Sequence, residues 1–172
     1  MDEEIEKQLM EAFEKKNFKF NLGCGEDIRE DYVNIDSRDI ENLDIRADIR
    51  NLVFIPDETV EEFLCYDVLE HFSFLDTAAI LSHWISKLKP GGQIIVRVPD
   101  IEKILHNFVH GELPVFEAQR LVFGGQDYPQ NFHFAGFTEG TLEGLLLGCG
   151  CSEVVQAIRE DDSHNVTLVA RK

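Results

Sequence analysis

Positive charge is scarce in this sequence: 16 Lys and Arg stand against 33 Asp and Glu, a formal net charge of −17. Binding along a nucleic-acid backbone needs a basic surface that neutralises phosphates, and an anionic membrane surface asks for the same. Sixteen scattered basic residues supply no such surface, so neither nucleic acid nor membrane is expected as a partner, whereas a cationic ligand is compatible with the charge. The sequence also has no apolar run near the roughly 18 residues of a membrane-spanning helix, no internal repeat and no low-complexity tract. Its four cysteines, Cys24, Cys65, Cys149 and Cys151, include no Cys-x-x-Cys pair, which suits neither a disulfide framework nor a zinc site. Met1-Asp2-Glu3-Glu4 is acidic where a secretory leader would be basic and then apolar. The expectation is a soluble, reduced, cytoplasmic protein.

What is present is enough for one domain. A chain of 172 residues fills a single domain, 1–172, and 44% apolar content with 13 Phe excludes a mostly disordered chain. Ile5, Leu9, Ala12 and Phe13 recur at helical spacing, predicting an amphipathic helix over 2–16. Strands are predicted at Phe18–Leu22, at Tyr32–Asp36, within Asp39–Asp48 (with Leu43, Ile45 and Ala47 alternating), at Val60–Tyr66 and at Gln93–Val98. Leu81, Trp84, Ile85 and Leu88 mark a helix capped by Asp76 and stopped at Lys89-Pro90-Gly91-Gly92, read as a turn before the fifth strand. Asp100 caps a second helix stopped by Gly111, residues 112–123 form a third, and Thr138 caps a fourth ended by Gly148 and Gly150. Residues 124–137 read as an irregular aromatic loop. Two last strands, Glu153–Ile158 and Val166–Ala170, form an antiparallel hairpin. Strands alternating with helices predict a doubly wound, Rossmann-like α/β domain with an antiparallel hairpin closing one edge.

The chemistry-bearing unit is Asn21-Leu22-Gly23-Cys24-Gly25, at the end of the first strand. In open α/β sheets, ligands bind beyond the carboxyl ends of the strands, and glycines there let the backbone turn and approach a ligand. A dinucleotide site wants Gly-x-Gly-x-x-Gly with a helix N-terminus for the pyrophosphate, but the third glycine position is Ile28. The connection over 26–31 spans at most roughly 20–25 Å when extended, against about 17 Å to return along a five-residue strand. A helix rising 1.5 Å per residue cannot make that return. The first crossover is therefore shortened, and NAD or FAD is disfavoured. Asp36 ends the second strand, where a carboxylate accepts hydrogen bonds from both ribose hydroxyls; Asp48, twelve residues on, can meet an adenine amino group.

Asn21-Leu-Gly-Cys-Gly25, Val33-Asn-Ile-Asp36, Ala47-Asp48-Ile49, Asp67-Val-Leu-Glu-His-Phe72 and Leu88-Lys-Pro-Gly-Gly92 occur in an order that resembles class I S-adenosylmethionine-dependent methyltransferases. The resemblance is to the small type-11-like group with a shortened first crossover, and it covers roughly residues 18–158. It implies a mostly parallel seven-stranded sheet and S-adenosyl-L-methionine as cofactor. It places the methionine part over Leu22, Gly23, Cys24 and Gly25 and beside Tyr66 and Asp67, the ribose on Asp36, and the adenine near Asp48 and Ile49. The cofactor has no phosphate and is cationic, so neither the missing glycine nor the acidic surroundings count against it.

The implied reaction is methyl transfer to an oxygen, nitrogen or carbon nucleophile on a small molecule, glycan or protein. His71 and His133 are the candidate general bases, since histidine titrates near neutral pH, and 111–137 is the segment available as an acceptor lid. His83, His106, His110 and His164 show no metal-ligand spacing, and no metal is expected. Two other readings use the same fold: a non-catalytic module that binds a partner, and an aminopropyl transferase. Tyr66-Asp67-Val68 carries a single acid where the latter would want more.

Overall fold

Seven extended segments pair into one sheet in a computed structural model that describes residue 10, residues 18–158 and residues 164–172. The helix expected over 2–16 lies outside the described residues except at Met10. The strands are β1 (Lys19–Leu22), β2 (Val33–Asp36), β3 (Ile45–Arg46), β4 (Val60–Tyr66), β5 (Leu88–Pro99), β6 (Glu153–Ile158) and β7 (Asn165–Arg171). Their order is β3-β2-β1-β4-β5-β7-β6. The first five run parallel, and β7 pairs antiparallel with both β5 and β6. The expected doubly wound sheet with its antiparallel edge is therefore present, and strand order reverses between β1 and β4, where such folds open a crevice.

Burial explains the strands. β4 is buried at Val60, Phe63, Leu64 and Cys65, the continuous apolar run of a strand covered on both faces. In β5, Ile94, Val96 and Val98 point into the core in strict alternation. Helix α1 (Thr77–Lys87) lays Leu81, Trp84 and Ile85 on the sheet, and α4 (Glu139–Gly148) adds Leu142 and Leu146. Helices α2 (Ile101–Val109) and α3 (Val115–Phe123) share a small second core of Ile104, Leu113 and Ala118. Asp100 caps α2 by accepting from the backbone N–H groups of Glu102 and Lys103, and Thr138 caps α4 by accepting from that of Thr141.

Three expectations are corrected. Asp76 precedes α1 but is itself in helical conformation and makes no side-chain cap bond; the turn is closed by the N–H groups of Asp76 and Thr77 donating to the Ser73 carbonyl, at 2.8 and 3.2 Å. Lys89-Pro90-Gly91-Gly92 does not precede the fifth strand but bulges within it: Val60 pairs with Leu88 and Glu62 with Gln93, so four residues bow out opposite Glu61. Proline's missing N–H and Gly91's φ of +78° break the register, while Gly91 and Gly92 bond to Lys172 at the sheet margin. The third strand is only two residues long, leaving Leu43 and Ala47 outside it.

No helix occurs among residues 23–59. Two buried amides do the work of a crossover helix between β1 and β2. Asn21 and Asn34 sit opposite each other in register. Asn21 Nδ2 donates to the Asp27 carbonyl (2.7 Å) and to Asn34 Oδ1 (3.2 Å). Asn34 Nδ2 donates to the carbonyls of Arg29 and Tyr32, and its Oδ1 accepts from the Arg29 N–H (all 3.0 Å). The short loop's polar backbone is thereby satisfied from the strands themselves. No helix among the described residues is long and apolar enough to cross a membrane.

Candidate functional site

At the carboxyl ends of β1, β2 and β4 lies a cavity of about 450 Å³. Its floor is the turn at Gly23 and the segment Asp67–Val68 after β4, one wall is Asp36–Arg38, a second is Asp48–Arg50, and the loop residues Tyr128–Gln130 and Phe134 close over it with His71 and Phe72. The volume is that of an ordinary small-molecule site.

Gly23 makes the floor possible. It holds φ +63°, and a Cβ there would lie 2.3 Å from Val68 Cγ2 and 3.4 Å from Ile49 Cδ1, both cavity-lining side chains. Asp67 also adopts a positive φ, +55°, a conformation uncommon outside glycine and tolerated best by Asp and Asn. Its N–H donates to the Arg97 carbonyl at 2.9 Å, and its carboxylate pairs with the Arg97 guanidinium.

Each carboxylate facing the cavity carries an arginine. Asp36, 6% exposed, accepts from the N–H of Gly25 (2.9 Å) and from Arg38 through its N–H (2.9 Å), Nε (3.2 Å) and Nη2 (3.4 Å). Burial pushes its pKa up, but these hydrogen bonds outweigh burial and hold it below the ordinary carboxylate value. Asp48 is chelated by Arg50 through Nε at 3.0 Å and Nη2 at 2.5 Å, which lowers its pKa against the opposing effect of burial. Arg38 also stands 5.0 Å over the Tyr128 ring, tying the β2 end to the loop above. The backbone at Ile49 is fixed by Trp84, whose buried Nε1 donates to the Ile49 carbonyl at 2.7 Å.

Of the residues named from sequence, Gly23, Asp36, Asp48, Ile49, Asp67 and His71 line the cavity. Leu22, Cys24, Gly25, Tyr66 and His133 do not line it. Leu22 is core, and Cys24 is buried with its thiol pushed up to about 12, chiefly by burial. Gly25 acts through its bond to Asp36, and the guanidinium groups of Arg97 and Arg29 lie 4.3 and 5.2 Å from the centre of the Tyr66 ring. Sequence reading missed Arg38, Arg50 and Tyr128; an arginine two residues after each of Asp36 and Asp48 was the available signal.

His71 and His133 meet edge to face with ring centroids 4.9 Å apart. His71 Nδ1 bonds the Phe132 carbonyl and His133 Nδ1 the Leu121 carbonyl, each at 3.0 Å. Burial lowers the pKa of both, and the His71 charge adds to the effect at His133. Glu70 lies beside them. Its carbonyl accepts from the N–H groups of Phe134 (2.8 Å) and Ala135 (3.2 Å), tying the loop to the turn after β4. Its carboxylate is 2% exposed, and neither oxygen has a hydrogen-bond partner.

Several solved structures that share this fold are described as S-adenosylmethionine-dependent methyltransferases. A SAM-dependent methyltransferase of Archaeoglobus fulgidus matches 99% of this chain and 94% of its own at 13% identity, with a TM-score of 0.60. A protein of Pyrococcus horikoshii matches at 20% identity over 98% of this chain and 88% of its own, TM-score 0.63. The 1,6-didemethyltoxoflavin-N1-methyltransferase of Burkholderia thailandensis, solved with 1,6-didemethyltoxoflavin and S-adenosylhomocysteine, matches at 13% over 98% of this chain and 76% of its own, TM-score 0.62. No family model and no curated protein matches the sequence.

Proposed function

We propose that this chain binds S-adenosyl-L-methionine and transfers its methyl group to a nucleophile on a small molecule, glycan or protein. The observation that carries the reading is the cavity at the strand-order reversal, floored by a side-chain-free Gly23 and walled by the buried, ionised Asp36. A pyrophosphate would find no helix N-terminus after β1, whereas an adenosyl sulfonium needs none. The residues fit: Asp36 would take the ribose hydroxyls, the Asp48–Ile49 wall the adenine, and Gly23 with Asp67 the methionine portion. Bound there, S-adenosylmethionine would supply an electrophilic methyl on sulfur.

The chain's own share of the work is positioning, which can supply ~7–11 kcal/mol of a barrier between well-oriented partners. The loop carrying Tyr128 and Phe134 lines one side of the cavity, and His71 is the imidazole that reaches it. Thermal unfolding with S-adenosylmethionine, S-adenosylhomocysteine or NAD tests the reading. Ligand at about 100 times its Kd adds ~2.7 kcal/mol, a rise of roughly 5–10 °C for a domain of this size. Both adenosyl compounds are expected to give that rise and NAD none. No shift with either would favour the partner-binding module.

A further inference from the structure

We propose that Glu70, His71 and His133 form a binding site for one divalent transition-metal ion, where His133 of the 124–137 loop meets the turn after β4 and where His71 also lines the cavity. One ligand atom from each of the three lies within 4.8 Å of the others. The Glu70 carboxylate is buried with both oxygens unpartnered. Leaving a buried acceptor unpaired is costly, and native structures seldom tolerate it without an ion, a water or a function to account for it.

The histidines add an independent observation. A carbonyl can only accept, so the 3.0 Å bonds to Phe132 and Leu121 place a proton on Nδ1 of each ring. In the neutral imidazole this leaves Nε2 with a lone pair. Donation of one ring N–H to a backbone carbonyl is the arrangement that orients metal-ligating histidines and raises their basicity. Two imidazoles and a carboxylate favour Zn²⁺, Fe²⁺, Co²⁺ or Mn²⁺ over Ca²⁺ or Mg²⁺, and three protein ligands leave at least one position open. Bonds of ~2.1 Å in tetrahedral geometry set ligands about 3.4 Å apart, so binding draws the three groups inward by side-chain rotation.

If the methyl-transfer reading holds, on which this step rests, the open position selects an acceptor that offers oxygen. Its hydroxyl proton passes to water on coordination. Its oxygen then forms the bond to the methyl carbon as the carbon–sulfur bond breaks and the electron pair stays on sulfur. Neither histidine is then the base.

Co²⁺ titration of the chelator-stripped full-length protein, followed by visible d–d absorption, tests the site without any turnover. One equivalent is expected to bind, to be displaced by Zn²⁺, and to bind at least 10-fold more weakly in Glu70→Gln and in His133→Asn, each checked by circular dichroism for an intact fold. The rival is the exposed pair His106 and His110, whose ring centroids lie 4.2 Å apart at the C-terminal end of α2. Loss of the spectrum in His110→Ala with retention in Glu70→Gln would assign the ion there and overturn the proposal, as would no spectrum at all. Calorimetry with S-adenosylhomocysteine on the stripped protein tests the cofactor reading separately: Co²⁺ binding without S-adenosylhomocysteine binding keeps the metal site and removes the methyltransferase.

Discussion

Asp36→Ala is expected to weaken S-adenosylhomocysteine binding by roughly 30- to 1,000-fold in calorimetry, the loss of two charge-assisted hydrogen bonds worth on the order of 2–4 kcal/mol. Those bonds would replace existing ones. The carboxylate now accepts from Gly25 and three times from Arg38, and the side-chain contacts at 3.2 and 3.4 Å are the longest of the four. They are the ones a ribose would displace. Asp36→Asn keeps an acceptor for the Gly25 N–H and separates the charge from the local fold. The same residue sets a pH dependence. A carboxyl whose folded pKa lies below its ordinary 3.8 stabilises the fold above that pH, and the contribution is lost as pH falls through and below it. The difference in Tm between the native protein and Asp36→Asn is therefore expected to be full near neutrality and to close below about pH 4. Unchanged S-adenosylhomocysteine affinity in both variants would remove Asp36 from the ribose site.

Gly23→Ala is expected to lower Tm by roughly 4–20 °C and to impair cofactor binding with it. The left-handed conformation costs a non-glycine residue ~1–2 kcal/mol, and overpacking adds ~1–3. Together these are about 2–5 kcal/mol, at 2–4 °C each for a chain of this length. The second part has one source, Val68, whose Cγ2 would lie 2.3 Å from the new Cβ. Adding Val68→Ala to Gly23→Ala should therefore recover the overpacking part but not the conformational part, leaving the double variant ~1–3 kcal/mol more stable than the two single effects summed. Strict additivity would show that Val68 does not set the floor of the cavity.

Local features were legible in the sequence. β4 has the observed bounds Val60–Tyr66 because its apolar run needs no partner to be recognised, and the caps at Asp100 and Thr138 use side chains within three residues of the N–H groups they serve. The turn at Gly23 and the carboxylate at Asp36 followed from their places at strand ends. What failed was non-local. Residues 89–92 read as a turn between helix and strand because proline and glycine break register, yet pairing with Lys172 keeps them in the sheet. The place of Asp36 at a strand end says nothing of Arg38, whose side chain reaches back to it only in the folded turn. Glu70 and His71 lie some sixty residues from His133, and only the return of the loop through Phe134 and Ala135 brings them together. No spacing rule covers that distance.

On this reading the cavity beyond β1, β2 and β4 takes an adenosyl cofactor by its ribose. The most direct measurement is a crystal structure with S-adenosylhomocysteine. Both ribose hydroxyls are expected at hydrogen-bond distance, ~2.7 Å, from the Asp36 carboxylate, with the Arg38 guanidinium displaced from it and the sulfur facing the Asp67–His71 side. An adenosyl group bound elsewhere, or bound in the cavity with the Arg38–Asp36 pair intact, would contradict the account.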